Sequence, residues 1–180
     1  MSHEVVRTRA GALAMRSREA GEIMHPGVGP LAEAELLYVR QSRLGERLRA
    51  AGGRVVVFDV GLGAGSNALA ARAESERAPA SAARLELVSF ERDLGALVLA
   101  LEHPAAFGLD GEAGVAARAL VERGEHQSAR THWRLVRGEL PETLAQEPAR
   151  ADVIYWDPFS PRANPELWTV GAFTALRRAA

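Results

Sequence analysis

An α/β fold with a doubly wound parallel sheet is what three features of this sequence predict. From residue 54 onward, apolar strand-like runs alternate with helical stretches, the pattern of a sheet covered by helices on both faces. The first of these runs, "RVVVFDV", passes directly into the glycine turn "GLGAG" and then into a helix. The fourth, Val153 to Trp156, reads as a buried strand that ends on Asp157 and the rigid turn "PFSP".

In chain order, "VVRTRAGALAMRSRE" predicts two short strands turning near Gly11, followed by the Gly/Pro-rich loop "GEIMHPGVGP". Pro30 suits a helix start, and Leu31, Ala34, Leu37, Leu44 and Leu48 form an apolar stripe that ends near Gly52 and Gly53. The core then reads as strand "RVVVFDV", helix "GSNALAARAESERA", strand "RLELVSFE", helix "LGALVLALEH", helix "GVAARALVERG" and strand "THWRLVRG". Helix "PETLAQE", strand "DVIYW" and a helical "PELWTVGAFTALRRAA" complete it, with "RAPASAA" and "PAAFGLDGEAG" as loops. The expected organisation is a hairpin and helix over residues 1–53 packed on a core over residues 54–180. Sheets of this kind usually carry strands beyond the fourth, so the sequence is expected to be a piece of a longer product with its sheet incomplete at the C-terminus.

Composition narrows the function classes. With 180 residues, 47% hydrophobic and 25% charged, the chain has the make-up of a globular domain with a real core. A net charge of -1 gives no global field for nucleic acid. Cysteine is absent, which removes disulfides and thiolate metal sites and makes the cytoplasm the expected compartment. Lysine is absent too, so Schiff-base chemistry and a Walker-type phosphate lysine are excluded. The five histidines show no ligand-like spacing, no G-x-S-x-G elbow exists, and no apolar run spans a bilayer.

Three strand ends carry candidate chemistry. In "DVGLGAGSN", Asp59 precedes Gly61, Gly63 and Gly65, and Ser66 stands where a dinucleotide fingerprint needs its last glycine. Glycines allow close ligand approach, and the helix opening near Asn67 offers free N–H groups. An acid at position 59 repels a pyrophosphate but suits a cationic amino group, which favours S-adenosyl-L-methionine; a plain strand-to-helix connection is the alternative. Glu91 ends the next strand, where an acid bonds ribose hydroxyls in doubly wound sheets, or else caps the following helix. Gly138 and Glu139 end a third strand and could border the adenine, or Glu139 could serve the helix at "PETL". After the fourth, "DPFSP" holds Asp157 where ligands of such sheets lie, with backbone torsions set by Pro158 and Pro161. A carboxylate there can take the hydrogen bond or proton of an amine nucleophile, and Phe159 can flank a flat base.

"ADVIYWDPFSPRANPELWTVGAF" resembles the corresponding segment of the MnmC-type methyltransferases, whose signature D-x-F-x-P…N-P-x-x-W is matched by Asp157, Phe159, Pro161, Asn164, Pro165 and Trp168. "GEIMHPGVGPLAEAELLYV" is similar to that family's upstream segment through Glu22, His25, Gly29, Glu33, Ala34 and Tyr38, and "DVGLGAGSN" to its glycine loop, with Leu62 in place of an aromatic residue. The resemblance implies a Rossmann-like class I methyltransferase sheet. It also implies S-adenosyl-L-methionine-dependent methylation of the aminomethyl group on the tRNA wobble uridine, forming 5-methylaminomethyl-2-thiouridine. A separate enzyme would supply the aminomethyl substrate, since nothing here matches the oxidase of two-domain relatives. Asp157 and Phe159 are then the candidate catalytic pair, with Asp157 on the acceptor amine. Glu33, Tyr38, Asp59, Gly61, Gly63, Gly65, Asn67, Glu91, Gly138, Glu139 and Asp157 form the candidate donor-binding set, Glu33 and Tyr38 shaping its wall. His25 is either structural or part of the pocket.

Two other functions fit the same residues: a methyltransferase of this fold acting on a small-molecule amine, and a non-catalytic nucleotide- or tRNA-binding module. Arg7, Arg9, Arg16 and Arg18 of the hairpin with Arg40, Arg43, Arg47 and Arg49 of the helix form either a local cationic patch for tRNA or a solvated face ion-paired to Glu33, Glu35 or Glu46.

Overall fold

The computed structural model describes residues 2–25, 27 and 29–180; Pro26 and Val28 of the Gly/Pro loop lie outside the described residues. Strands β1 (His3–Arg7) and β2 (Leu13–Ser17) form an antiparallel hairpin that turns through Gly11, whose φ of 85° suits glycine. The helical segment after the loop is broken rather than continuous. Helix α1 (Pro30–Ala34) passes into a wider π-helical stretch at Glu35–Arg40, and α2 (Leu44–Ala50) starts only after Arg43, at φ 55°. A residue of that left-handed conformation ends one helical run, so a continuous apolar stripe does not make a continuous helix.

The core sheet contains β3 (Arg54–Val60), β4 (Arg84–Glu91), β5 (Glu125–Gln127), β6 (Thr131–Arg137) and β7 (Val153–Trp156), in the order β5-β6-β4-β3-β7. Pairings β6–β4, β4–β3 and β3–β7 are parallel, as expected; β5 is antiparallel and was not foreseen. Three residues are too few to show a strand period, and β5 arises because Gly124, at φ 78°, ends the preceding helix and turns the chain back beside β6.

The crossovers are α3 (Ser66–Arg77), α4 (Gly95–Leu101), α5 (Pro104–Phe107), α6 (Gly111–Arg123) and α7 (Leu140–Gln146). Helix α5 occupies part of the expected loop "PAAFGLDGEAG", with Pro104 at its first position where a missing N–H costs nothing. The last segment is a short 3-10 turn at Pro165–Leu167 and then α8 (Val170–Ala179), whose Thr169 cap accepts a hydrogen bond from the Ala172 amide.

Strand β3 shows how the two faces are built. Val55 and Val57 join the apolar cluster under α3, α4 and α6, while Val56, Phe58 and Val60 join the one holding Leu140, Leu144 and Leu176. Both faces are buried, so the strand reads as unbroken apolar sequence. The hairpin packs on α4, and Met15 enters the first cluster. Trp133, Tyr155 and Phe58 are fully buried anchors. No described helix is long and apolar enough to cross a membrane.

Candidate active site

All four parallel strands end at one cavity of about 320 Å³, a volume suited to a small-molecule ligand. Of the residues singled out in the sequence, Glu33, Tyr38, Gly61, Gly63, Glu91 and Gly138 line it, as do Glu139, Asp157 and Phe159. Parallel strands with crossover helices leave the carboxyl ends free of backbone connections on the sheet's own layer, which is why residues so far apart in sequence meet here.

The glycine loop is shaped by close backbone approach. Gly61, at φ 86°, sits where a Cβ would lie 2.6 Å from the Asp157 carbonyl oxygen. Gly63, at φ 52°, faces Met24, whose sulfur would be 3.0 Å from an added Cβ. Glu91 locks the loop to the end of β4: its Oε2 accepts from the Gly63 amide at 3.0 Å, and its Oε1 accepts from the amides of Arg92 and Asp93. Glu91 therefore holds the loop and the turn before α4 without capping that helix, whose Gly95 amide donates to Asp93 instead, and its side chain still borders the cavity. Gly138, at φ 142°, donates its amide to the Glu91 carbonyl, tying the ends of β6 and β4 together.

Asp157 directly follows β7, its amide bonded to the Val60 carbonyl. Its Oδ2 accepts from Asn67 Nδ2 at 2.8 Å and lies 3.4 Å from His25 Nε2. The Asp-Pro-Phe-Ser-Pro turn is clamped from the far side of the cavity by Glu22, which accepts from the Ser160 amide at 3.0 Å and from the Ser160 hydroxyl. Those bonds, with Arg162 nearby, hold the Glu22 carboxyl below its ordinary range. Trp168 Nε1 donates to the Phe159 carbonyl at 2.8 Å, fixing the other end of the turn. Tyr38 is pushed upward in pKa by burial and then by Asp157, so it remains a neutral phenol at the cavity wall.

Three of the expected residues do not reach the cavity. Gly65 and Asn67 are buried at the start of α3, beneath its floor; Gly65 instead shapes the turn with φ 89°, and Asn67 acts on Asp157. Asp59 is the more consequential case. It is fully buried, on the face of β3 turned to the core, and its Oδ2 accepts from Ser89 Oγ at 2.7 Å while Trp133 Nε1 donates to that same hydroxyl. Asp59 is not among the residues lining the cavity, in contrast to the expectation that it meets the donor's amino group. Burial, with Asp157 and Glu91 nearby, pushes its carboxyl up to about 7. The strand period explains this: Asp59 shares its face with Val57, whereas the cavity opens beyond the strand's tip.

Residues the sequence pattern could not single out also line the site. Met24, Leu37, Arg92 and Glu166 have no motif spacing of their own. Glu22 and His25 sat in the family-like loop segment, and the structure brings both to the cavity. The lining is strongly acidic: Glu22, Glu33, Glu91, Glu139, Asp157 and Glu166 surround it, with Arg92 the only arginine among the described residues. Such a field favours a cationic ligand. Among the described residues no group of His, Asp and Glu is arranged to hold a metal ion.

The two arginine groups are largely paired locally. Arg16 and Arg18 meet Glu4, Arg40 meets Glu35, Arg43 meets Glu46 and Arg49 meets Glu74.

Comparison with known proteins agrees with this geometry. A family model described as S-adenosyl-L-methionine-dependent methyltransferase matches residues 115–180. The tRNA 5-methylaminomethyl-2-thiouridine biosynthesis bifunctional protein MnmC of Burkholderia vietnamiensis is 34% identical over 175 residues, which cover 91% of this chain and 26% of that protein. Its counterpart from Pseudomonas fluorescens is 30% identical over 174 residues, covering 92% and 26%. The chain therefore spans about a quarter of the length of the curated relatives it matches. A crystal structure of MNMC2 from Aquifex aeolicus superposes with a TM-score of 0.76 at 24% identity, covering 98% of this chain and 56% of that one, a likeness of fold.

Proposed function

We propose that this chain is an S-adenosyl-L-methionine-dependent methyltransferase related to MnmC and that it methylates the aminomethyl nitrogen of the tRNA wobble uridine, giving 5-methylaminomethyl-2-thiouridine. The observation that carries the proposal is the acid-lined cavity at the strand ends. Both reactants are cations in water, an ammonium on the acceptor and a sulfonium on the donor, and a ring of carboxylates attracts each. The cradle also fits the donor, since Gly61 and Gly63 line the cavity with bare backbone that a ligand can approach closely.

Gly61, Gly63, Glu91, Gly138 and Glu139 would hold S-adenosyl-L-methionine, which when bound supplies an electrophilic methyl group on sulfur. The chain's own part is positioning and proton handling. Asp157 takes the proton that the acceptor ammonium must lose to become a nucleophile. Asn67 and the Glu22 clamp hold that carboxylate and its turn in place. Tyr38, kept neutral, donates without adding charge. Phe159 offers an apolar face against a base. A separate enzyme supplies the aminomethyl group, and the tRNA-containing cytoplasm is the place of action.

The local pairing of the hairpin and helix arginines favours a second reading, a small-molecule amine as acceptor, since paired charges contribute little to phosphate binding. Labelled methyl transfer to tRNA carrying the aminomethyl group, set beside transfer to the free aminomethyl nucleoside, tests both. Transfer to tRNA alone supports the first reading. Equal efficiency on the nucleoside supports the second, and no transfer to either defeats both.

A further inference from the structure

His25 occupies an unusual place for a loop histidine. Its side chain is 12% exposed, and each ring nitrogen faces a carboxylate of the cavity wall. Nε2 lies 3.4 Å from Asp157 Oδ2 and Nδ1 lies 3.6 Å from Glu33 Oε2. The backbone holds the ring there with φ at 52°, a conformation that costs free energy outside glycine and persists where surrounding contacts impose it. Glu33 is itself held by the Gly27 amide, 2.6 Å from its Oε1, so its other oxygen is left for the ring. Asn67 and His25 both address Oδ2 of Asp157, which leaves Oδ1 to meet an amine.

We propose that Glu33, His25 and Asp157 form a proton relay, in which His25 drains from Asp157 the proton that the methyl acceptor sheds. This rests on the amine-methylation reading above. His25 acts through Asp157 and is a positioning residue, not a catalytic one.

A neutral imidazole carries one N–H, and carboxylates offer only acceptors. In the resting state the ring donates from Nδ1 toward Glu33, and the Nε2 lone pair faces Asp157. The acceptor ammonium gives a proton to Oδ1 of Asp157, the carboxyl group turns about Cβ–Cγ so that its other oxygen takes the Asn67 hydrogen bond, and the same proton then passes to Nε2. The freed amine lone pair then forms the N–C bond as the C–S bond breaks, the bonding pair remaining on sulfur. The product leaves as a secondary ammonium, the imidazolium loses its Nδ1 proton by way of Glu33 to solvent, and proton exchange with water returns the ring from the Nε2–H to the resting Nδ1–H tautomer. Charge and protons balance with no further reactant. Both spacings are longer than a formed hydrogen bond, as is common before a ligand closes a site.

The test is single-turnover transfer of a labelled methyl group from S-adenosyl-L-methionine to tRNA carrying 5-aminomethyl-2-thiouridine. It uses wild type, His25→Gln, and His25→Ala with and without added imidazole. Calorimetric binding of S-adenosylhomocysteine runs beside it. The relay predicts that His25→Gln slows transfer on the order of tenfold to a hundredfold, with S-adenosylhomocysteine affinity within about twofold of wild type. It also predicts that imidazole restores part of the His25→Ala rate, which a purely structural histidine would not allow. An unchanged rate in His25→Gln, or a slow His25→Ala that imidazole leaves slow, overturns the relay while wild-type activity keeps the methyltransferase reading standing. Loss of S-adenosylhomocysteine binding in His25→Gln overturns it too, because the ring would then belong to the donor's cradle. Absence of transfer by wild type defeats the methylation reading, and the relay with it.

Discussion

Asn67 Nδ2 donates to Asp157 Oδ2 across 2.8 Å, joining the first turn of α3 to the residue that follows β7. Ninety residues apart in sequence, the two meet because β3 and β7 are parallel neighbours whose carboxyl ends face the same way. A carboxylate oriented from below is one that can serve a nucleophile above. Replacing Asp157 with Ala should lower turnover on the order of a hundredfold or more, with S-adenosylhomocysteine affinity little changed. Methyl transfer and calorimetry on the same preparation check this. A variant as fast as wild type would remove Asp157 from the chemistry.

The glycine loop gives a separate prediction. An alanine Cβ at Gly61 would meet the backbone oxygen of Asp157 at 2.6 Å, in a left-handed conformation, and backbone cannot swing away as a side chain can. Gly61→Ala should destabilise the fold by about 2–3 kcal/mol, read as a lower urea midpoint. Gly63→Val should abolish S-adenosylhomocysteine binding, since the new side chain occupies the floor beside Met24. Retained affinity in a folded Gly63→Val protein would show that the ligand lies elsewhere.

Stability should depend on pH through Asp59. Burial pushes its folded-state carboxyl from 3.8 up to about 7. The unfolded chain releases this proton near its ordinary value while the folded chain keeps it, so rising pH favours unfolding between those two points and has no further effect above them. Relative to Asp59→Asn, wild type should lose on the order of 1–3 kcal/mol between about pH 4 and pH 7. Urea titrations at both ends of that window measure the difference, and parallel profiles for the two proteins would contradict it.

The Glu22 clamp behaves with the opposite sign. Its carboxyl is held low by the Ser160 hydroxyl and amide and by Arg162, so the clamp's stabilising effect is full above the ordinary carboxylate range and is lost as pH falls through the lowered value. Glu22→Ala should free the Ser160 amide, raising its hydrogen exchange by about tenfold or more, and should slow methyl transfer by loosening the turn that carries Asp157. Unchanged protection of Ser160 would mean the turn is held by its prolines and the Trp168 hydrogen bond without Glu22.

Much of this was legible in the chain. Strands β3, β4 and β7 are largely apolar and α3 opens at Ser66 after the glycine turn, so the sheet could be read from local pattern, whereas α6 begins at Gly111, inside a stretch expected as loop, and α7 begins at Leu140. The break between α1 and α2 could not, because it turns on the backbone of Arg43, a residue type with no preference for a left-handed φ. Strand β5 was too short to carry a period. In the site, glycines and strand-end acids stood out by spacing, whereas Glu22 and His25 had only a motif-like neighbourhood and Arg92 had none.

Local order along the backbone, the glycine turn and the acids at the strand tips are written into residue types and spacings, because each depends on torsions and periodicities a few residues long. Which acids face a ligand is a different matter. Asp59 and Asp157 look alike as strand-end carboxylates, yet one is sealed in the core against Ser89 and the other stands at the cavity beside His25. That distinction comes from the pleat of β3 and from side chains brought together across the sheet, and no short stretch of chain contains it.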